Sequence, residues 1–243
     1  MNTIQKLLSE HRSVRKFEQT ALDAAEVEAA VAAAQQAATS SNVQPYCLIQ
    51  VHEPGSRERL AQASGGQTQV AEAGAFFVVC ADQRRFRQIA ADRGVPYEAN
   101  LESFLVGVVD ASLFAQNLVI AFESEGYGTC YIGGLRTALS EVTEILELPP
   151  DVFPLFGLCV GVPAEDPGPR PRLATSAVLF HERCPDEEAL REQIAEYDAR
   201  MATYYEGRGL AGHTWSGGVQ HKFMKPQRTD LAEYYTSQGA RLA

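Results

Sequence analysis

Apolar runs along the chain predict four or five strands. Residues 75–81 are apolar at every position, which is typical of a central strand buried on both faces of a sheet. Residues 153–162 form a second run of this kind, and residues 46–52 and 129–132 are shorter strand-like segments bounded by proline or glycine. The pattern therefore indicates a sheet with a fully buried centre.

The spacing of apolar residues elsewhere predicts helices. Asp23, with Glu26 three residues on, is typical of the N-cap of an alanine-rich helix over residues 24–37. Residues 100–125 form the longest helical pattern, which is apolar on most sides, as in helices inside a large structure or at a subunit interface. Further helices are predicted over residues 2–10, 185–205 and 231–237. Another is predicted to begin after Pro54-Gly55 and to end at about residue 63. Another is predicted to begin with Ser140 as its N-cap and to end at Pro149-Pro150.

The order of these elements bears on the fold class. The helical segments are together much longer than the strands and do not alternate with them in step, which favours an α+β sandwich over a regular βαβ array. Residues 84–97 are predicted to be a mobile, charged segment. Gly126-Tyr127-Gly128 begins a dinucleotide-binding fingerprint, but Tyr131 occupies the place of the third glycine and a strand follows, so no Rossmann crevice is predicted.

Composition narrows the class of protein. The 243 residues are 45% hydrophobic and 21% charged, as in ordinary globular proteins, and no apolar run reaches the length of a membrane span without polar interruption. The five cysteines are dispersed without a C-x-x-C pair, which favours a reducing compartment. The five histidines have no metal-ligand spacing, and the first residues do not resemble a secretory signal. We expect a cytoplasmic protein without a metal.

The charge distribution indicates a kind of ligand. The formal net charge is −10, which disfavours nucleic acid as a partner. Against this acidic background the basic residues gather at a few places, as a small phosphorylated ligand would require, although each cluster alone is equally typical of a solvated loop or helix end. The clusters are Arg12 with Arg15, Arg170 with Arg172, Arg208, and Lys222 with Lys225 and Arg228.

The sequence His11-Arg12-Ser13-Val14-Arg15 carries the densest chemistry. In an extended segment His11, Ser13 and Arg15 project to one side, so a phosphate and a second anionic centre could be bound together. The alternative is a basic turn that complements the dipole of the preceding helix.

Three further motifs are weaker when taken singly. Pro169 and Pro171 favour an extended backbone in which Arg170 and Arg172 point the same way. Gly65-Gly66-Gln67 permits close approach to a flat ligand and offers both a donor and an acceptor, while Tyr131-Ile132-Gly133-Gly134 ends a strand. A solvated loop and ordinary turns are the alternatives.

Six motifs in order resemble one family over nearly the whole chain. They are His-Arg-Ser-x-Arg at 11–15, Thr-Ser-Ser at 39–41, Gly-Gly-Gln at 65–67, Tyr-Ile-Gly-Gly-Leu-Arg at 131–136, Pro-Leu-Phe-Gly-Leu-Cys-Val-Gly at 154–161 and Arg-Pro-Arg-Leu at 170–173. This set resembles the FMN-dependent nitroreductase superfamily, in particular the oxygen-insensitive NADPH nitroreductases of the NfsA and flavin-reductase-P type.

The resemblance implies an architecture and an activity. It implies a single nitroreductase-like domain over residues 1–243, with a mixed or antiparallel central sheet, in an intertwined homodimer whose residues 185–243 pack on the partner subunit. It also implies bound FMN, NADPH as co-substrate, and two-electron ping-pong reduction of nitro compounds, quinones or flavins. An FMN reductase that supplies free reduced flavin to a partner oxygenase is the alternative enzyme, and a flavin sensor without turnover is the alternative of another class.

The resemblance also assigns residues to roles. His11 and Ser13, with Arg170 and Arg172, would contact the FMN phosphate. Arg15 would stabilise the negative charge that hydride transfer leaves at N1 and O2 of the flavin. The full set of implied cofactor contacts is His11, Arg12, Ser13, Arg15, Thr39, Ser40, Ser41, Gln67, Tyr131, Ile132, Gly133, Gly134, Arg170 and Arg172. Arg208, with Lys225 and Arg228, would bind NADPH, and no side chain is assigned as an acid or base.

Two departures from the family pattern affect specificity. Asn42 occupies a substrate-pocket position that is often aromatic in the family, so the resemblance does not identify the electron acceptor. The loop over residues 209–213 is short and lacks a second arginine, which leaves the preference for NADPH over NADH open.

Overall fold

The computed structural model describes residues 1–242. The chain forms two compact units: the first comprises Met1–Pro167 together with the last segment from Asp230, and the second is Gly168–Thr229. The predicted single domain over residues 1–243, and the predicted packing of residues 185–243 on a partner subunit, both stay predictions.

The first unit contains a four-stranded antiparallel sheet. The strands are β1 (Tyr46–Gln50), β2 (Ala75–Asp82), β3 (Gly128–Ile132) and β4 (Val152–Gly161), in the spatial order β1-β2-β4-β3. Every residue of β2 is buried, as the apolar run over residues 75–81 predicted, and the strand extends one residue further to the buried Asp82. The predicted α+β class is confirmed.

Ten helices surround or follow the strands in the described chain. They are α1 (Thr3–Ser9), α2 (Ala24–Ala34), α3 (Pro54–Ala63), α4 (Gln69–Glu72), α5 (Arg84–Asp92), α6 (Leu101–Ser124), α7 (Leu139–Leu146), α8 (Glu187–Glu206), α9 (Trp215–Phe223) and α10 (Leu231–Ser237). The second unit is built around α8, where Tyr197 is buried and packs edge-on against Trp215 at a centroid distance of 5.3 Å.

Capping side chains explain several of the helix starts. The Asp23 carboxylate accepts a hydrogen bond from Ala25 N, as predicted for an N-cap, although α2 ends at Ala34 rather than at residue 37. Asn100 begins α6 with a reciprocal capping box to Ser103.

Two local predictions were wrong. Residues 84–92 form α5 instead of a mobile segment, because the Asp82 carboxylate accepts hydrogen bonds from both Arg84 N and its guanidinium and thereby fixes the start of the helix. Ser140 is not a cap: α7 begins at Leu139 without a side-chain cap and ends before Glu147, which adopts a left-handed conformation with φ of 50°.

The sheet separates two apolar clusters. Side chains alternate along β2, so that Phe77 and Val79 face the α2, α6 and α10 side while Phe76 and Val78 face the α3, α4 and α7 side. The first unit is therefore a helix–sheet–helix sandwich.

The C-terminal helix α10 completes the first of these clusters. Tyr234 and Tyr235 are buried, and the Tyr235 ring lies 5.2 Å from Phe104 and 6.2 Å from Phe153 between centroids. Tyr235 Oη donates to Pro154 O at 2.9 Å. The last residues of the chain thus belong to the core that the first 167 residues build.

Helix α6 has two apolar faces, as the sequence indicated. It is long and apolar enough to span a membrane, but Phe114, Leu118 and Phe122 are fully buried in the core beneath it, as in the central helix of a globular domain. On another face Leu101, Leu105, Val109 and Leu113 form a stripe at four-residue spacing, each 44–53% exposed. We call these four residues the α6 stripe.

Candidate functional site

An extended segment after α1 lies along the edge strand β3. Val14 N donates to Thr129 O at 2.9 Å, and Ser13 forms a parallel bridge with Thr129. The following residues pair with the end of β4, where Glu18 N donates to Val162 O at 2.9 Å. The segment that carries the predicted phosphate and flavin contacts is therefore fixed by backbone hydrogen bonds rather than belonging to a helix end.

Gly128 permits this close pairing. A Cβ atom at Gly128 would lie 2.9 Å from Val14 Cβ, and Val14 is itself buried. A side chain at position 128 would push the segment away from β3.

His11 is held by an acidic residue from α6. Its Nδ1 lies 2.8 Å from Glu123 Oε1 and 3.1 Å from Oε2, and Thr129 Oγ1 donates to the same Oε1 at 2.6 Å. Sequence reasoning missed Glu123, whose only signal was a charged residue within the apolar pattern of residues 100–125.

The two arginines of the segment differ in their environment. Arg12 Nε donates to Asp166 Oδ1 at 2.6 Å, so this guanidinium already has an acidic partner. The Arg15 side chain is exposed and donates to Ser13 O at 3.4 Å, and no carboxylate of the described residues lies within ion-pair distance of its guanidinium. Its backbone N is held separately by Glu165 Oε1 at 2.7 Å. Arg15 therefore presents a cation on a fixed backbone.

The structure brings Gln67 and Gly134 together. Gln67 Nε2 donates to Ser64 O at 2.8 Å, and Gln69 Nε2 donates to Gln67 Oε1 at 3.1 Å. A Cβ atom at Gly134 would overlap both Gln67 Nε2 and Ser64 O, so the turn after β3 packs on the turn before α4 only because residue 134 is glycine.

The residues at the end of β3 and in the turn after it differ in which of their atoms are accessible to a ligand. The Tyr131 side chain is exposed and its ring packs edge-on against Phe156 at 5.3 Å. The Ile132 side chain is fully buried, so only its backbone can reach a ligand. Gly133 has room for a Cβ atom, since its nearest neighbour would be Arg136 Nη2 at 3.5 Å.

Residues 39–44 form a strained, exposed turn. Ser41, Asn42 and Gln44 all have positive φ values, of 46°, 58° and 50°. Non-glycine residues in this region cost free energy and cluster at functional sites, which makes the turn a candidate for ligand contact. Val43 and Gln44, but not Asn42, line a neighbouring cavity of about 510 Å³.

A buried carboxylate on α6 holds this turn. Both carboxylate oxygens of Asp110 accept from Ser40 N at 3.2 Å. Burial raises the pKa of Asp110, and the hydrogen bond from Ser40 offsets only part of that effect. Asp110 was not among the predicted site residues.

We expect Asp110→Asn to raise the free energy of unfolding at neutral pH and to have less effect near about pH 4. The pKa of Asp110 is higher in the folded than in the unfolded protein, so its charge costs stability as the pH rises through the folded pKa. Asparagine keeps an acceptor for Ser40 N without that charge. Urea unfolding of the variant, the wild type and the exposed control Asp92→Asn at several pH values measures the difference. A stabilisation that is constant with pH or greatest in acid would contradict this role.

The basic residues of the second unit are also ordered. Tyr197 Oη donates to Pro171 O at 2.8 Å and Arg200 Nη1 donates to Arg172 O at 3.0 Å, so α8 holds the Arg170–Arg172 backbone. Arg170 and Arg208 share the ring of Tyr204, at 5.9 Å and 4.6 Å from its centroid. Lys225 and Arg228 follow α9.

Comparisons with known proteins cover the whole chain. A profile described as "Nitroreductase family" matches residues 8–162, and one described as "Nitroreductase family, C-terminal domain" matches residues 170–243. The chain is 41% identical to an FMN reductase (NADPH) of Bacillus subtilis and 39% identical to an oxygen-insensitive NADPH nitroreductase of Salmonella typhimurium, each with 98% of both chains covered.

Solved structures show the same likeness. The NfrA1 nitroreductase from B. subtilis superposes with a TM-score of 0.94 at 40% identity, covering 98% of this chain and 99% of that one. The NADPH:FMN oxidoreductase from Vibrio harveyi, complexed with NAD+, superposes with a TM-score of 0.90 at 33% identity, with the same coverage.

Proposed function

Because the chain belongs to the nitroreductase family, we propose that it is an FMN-dependent oxidoreductase that uses NADPH to reduce nitro compounds, quinones or flavins. The structural observation that carries this proposal is the fixed extended segment over residues 11–15, with the exposed guanidinium of Arg15 and the imidazole of His11. Both relatives described above are named as NADPH-dependent enzymes, which argues against a flavin sensor without turnover.

The residues present fit FMN. Gly133 leaves open space beside the end of β3, and Gly134 lets the Gln67 turn pack close to it, which suits the approach of a flat ring. Within the first unit, the imidazole of His11 and the hydroxyl of Ser13 suit a phosphate. The guanidiniums of Arg170 and Arg172 stay predicted phosphate contacts on the basis of the sequence alone. Thr39, Ser40, Ser41 and the backbone at Tyr131 and Ile132 are proposed as further contacts.

The chemistry divides between the cofactor and the chain. Bound FMN would supply two-electron hydride chemistry between NADPH and a second substrate in a ping-pong order. Arg15 would supply a positive charge to stabilise the negative charge that develops on the reduced ring. Arg12, which is paired with Asp166, serves in this proposal to hold the segment rather than to neutralise the ring.

The α6 stripe supports a homodimer, which is general in this family. Four large apolar side chains exposed on one helix face are typical of a subunit interface. We propose that two copies bury this surface, that the C-terminal excursion packs on the partner, and that the dimer acts in the cytoplasm on small molecules without a metal.

A direct assay tests the function. The purified chain should be yellow, with a flavin spectrum, and should oxidise NADPH when a nitroarene or a quinone is added. A colourless protein that shows no NADPH oxidation after FMN is added would overturn the proposal.

A second candidate is an FMN reductase that releases reduced flavin, and the name of the Bacillus subtilis relative favours it. The two activities would use the same residues. Faster NADPH oxidation with excess free FMN than with a nitroarene, together with reduced flavin in solution, would support this candidate, whereas reduced flavin that stays bound would exclude it.

We expect Arg208→Ala to raise the Michaelis constant for NADPH by about tenfold or more, since a hydrogen bond to a charged group contributes about 1.5–3 kcal/mol. The constant for NADH should change little, because NADH lacks the 2′-phosphate that Arg208 is proposed to bind. Steady-state rates with both nucleotides measure the effect. Arg191→Ala, which removes an exposed cation paired with Glu187 in the same unit, is the control. Equal effects on both nucleotides would move the 2′-phosphate contact elsewhere.

A further inference from the structure

Glu123 is a carboxylate that the proposed function does not use. It lies in the last turn of α6 with its side chain only 12% exposed. Among the described residues its side-chain partners are His11 and Thr129, and no lysine or arginine pairs with it. Burying a carboxylate costs free energy unless hydrogen bonds or an opposite charge compensate it, and for Glu123 that compensation comes from His11 and Thr129.

The contacts determine what the imidazole can offer. An ionised carboxylate only accepts hydrogen bonds, so Glu123 requires a proton on Nδ1 of His11. This leaves Nε2 as the one ring nitrogen able to contact a ligand. When the imidazole is protonated on both nitrogens, Nε2 donates to that ligand, and the carboxylate of Glu123 offsets the positive charge of the ring. The hydroxyl of Thr129 fixes the carboxylate in turn.

The same residues also order the backbone beside His11. Thr129 pairs with Ser13 and accepts from Val14 N at 2.9 Å, so the residue that orients Glu123 also orients the second proposed phosphate ligand. Histidines that bind metal ions in proteins are commonly aligned in this way by a carboxylate that accepts from the second ring nitrogen.

We infer that Glu123 is a positioning residue for phosphate recognition: it holds His11 through Nδ1, with Thr129 as its support, and thereby reserves Nε2 of His11 as a donor to the phosphate group of FMN. This inference rests on the proposed function, because His11 is a phosphate ligand only if FMN binds here. It assigns to the end of α6 a role in selecting a phosphorylated flavin over one without phosphate.

A purely structural role for Glu123 makes a different prediction. If Glu123 only ties α6 to the segment after α1, its removal should weaken the binding of any flavin to the same degree. Riboflavin has the ring and the ribityl chain of FMN without the phosphate, so the ratio of the two dissociation constants separates the roles.

The experiment measures the dissociation constants of FMN and riboflavin for flavin-depleted full-length protein by quenching of flavin fluorescence. We expect Glu123→Ala to weaken FMN binding by about tenfold while riboflavin binding changes little, as for the loss of a hydrogen bond to a charged group. Glu123→Gln keeps an acceptor for Nδ1 without the charge, so its effect should be smaller. Glu125→Gln, an exposed carboxylate just beyond α6, is the control and should change neither constant.

The double variant His11→Ala with Glu123→Ala completes the test. If Glu123 acts through His11, the double variant should bind FMN no more weakly than His11→Ala alone. Additive effects, or equal loss of FMN and riboflavin, would overturn the inference. Thr129→Val gives a second route if Glu123→Ala does not fold, since it should reduce FMN affinity in the same selective manner. Wild-type protein that binds neither flavin would instead refute the proposed function itself.

Discussion

Arg15→Ala is expected to slow the reduction of bound flavin by NADPH by about 10- to 100-fold, the equivalent of a charged hydrogen bond worth about 1.5–3 kcal/mol. FMN binding should weaken much less, because the contact of Arg15 strengthens only as negative charge appears on the ring. The fold should be unaffected, since within residues 1–242 the guanidinium donates only to Ser13 O and the backbone N is held independently by Glu165.

Stopped-flow bleaching of the flavin absorbance measures the first effect, and equilibrium titration with FMN measures the second. Arg59→Ala is the control, since it removes a guanidinium that pairs with Glu144 on the surface of the same unit. Equal losses in reduction rate and in FMN affinity would show that Arg15 binds the ground state and does not stabilise the transition state.

Gly134→Ala is expected to lower the free energy of unfolding by about 1–3 kcal/mol, as for an overpacked core position. The added methyl group would overlap Ser64 O and Gln67 Nε2, and the first of these is backbone that cannot rotate away. The turn after β3 and the turn before α4 would separate, so the purified protein should also carry less flavin.

Gly133→Ala is the matched comparison. A methyl group at position 133 meets only the end of the Arg136 side chain, at 3.5 Å, so the stability of the flavin-free protein should be unchanged. If the flavin ring lies against this turn, Gly133→Ala should nevertheless reduce flavin content. Denaturant unfolding of both flavin-free variants and their flavin stoichiometry give the comparison, and equal stabilities would contradict the packing argument.

The elements that the sequence predicted well are those whose environment is uniform. Strand β2 is buried at every residue, so its apolar run predicts only a buried strand. Helix α6 could be predicted for the same reason, since its sequence is apolar on most sides. Helix α5 was missed because its start depends on the Asp82 side chain and its charged surface resembles a loop. Ser140 shows that a residue typical of a cap can lie inside a helix when an earlier residue, here Ala138, already has the non-helical backbone conformation from which the helix begins.

The sequence predicts a candidate site most readily where the chemical groups are contiguous. Residues 11–15 place an imidazole, a hydroxyl and two guanidiniums in one short stretch, which a reader of the sequence can recognise. Their supports come from distant parts of the chain: Glu123 for His11, Glu165 for the backbone of Arg15, and Asp110 for Ser40. No local pattern encodes such pairs, because they form only when α6 packs near residues 11 and 40 and the segment after β4 packs near residue 15.

The return of the chain to the first unit has a consequence for how the protein is made. The second unit is an insertion: residues before it build the sheet, and residues after it supply Tyr234 and Tyr235 to the same core. During synthesis the apolar cluster around Phe104 and Phe153 therefore stays uncovered until α10 has left the ribosome. The length of the insertion adds little further cost, because the entropy of closing a loop grows only slowly with its length. A nascent chain or a fragment that stops at Pro167 exposes this apolar surface, so we expect a frameshift within the insertion to yield an aggregation-prone product and not a smaller working protein.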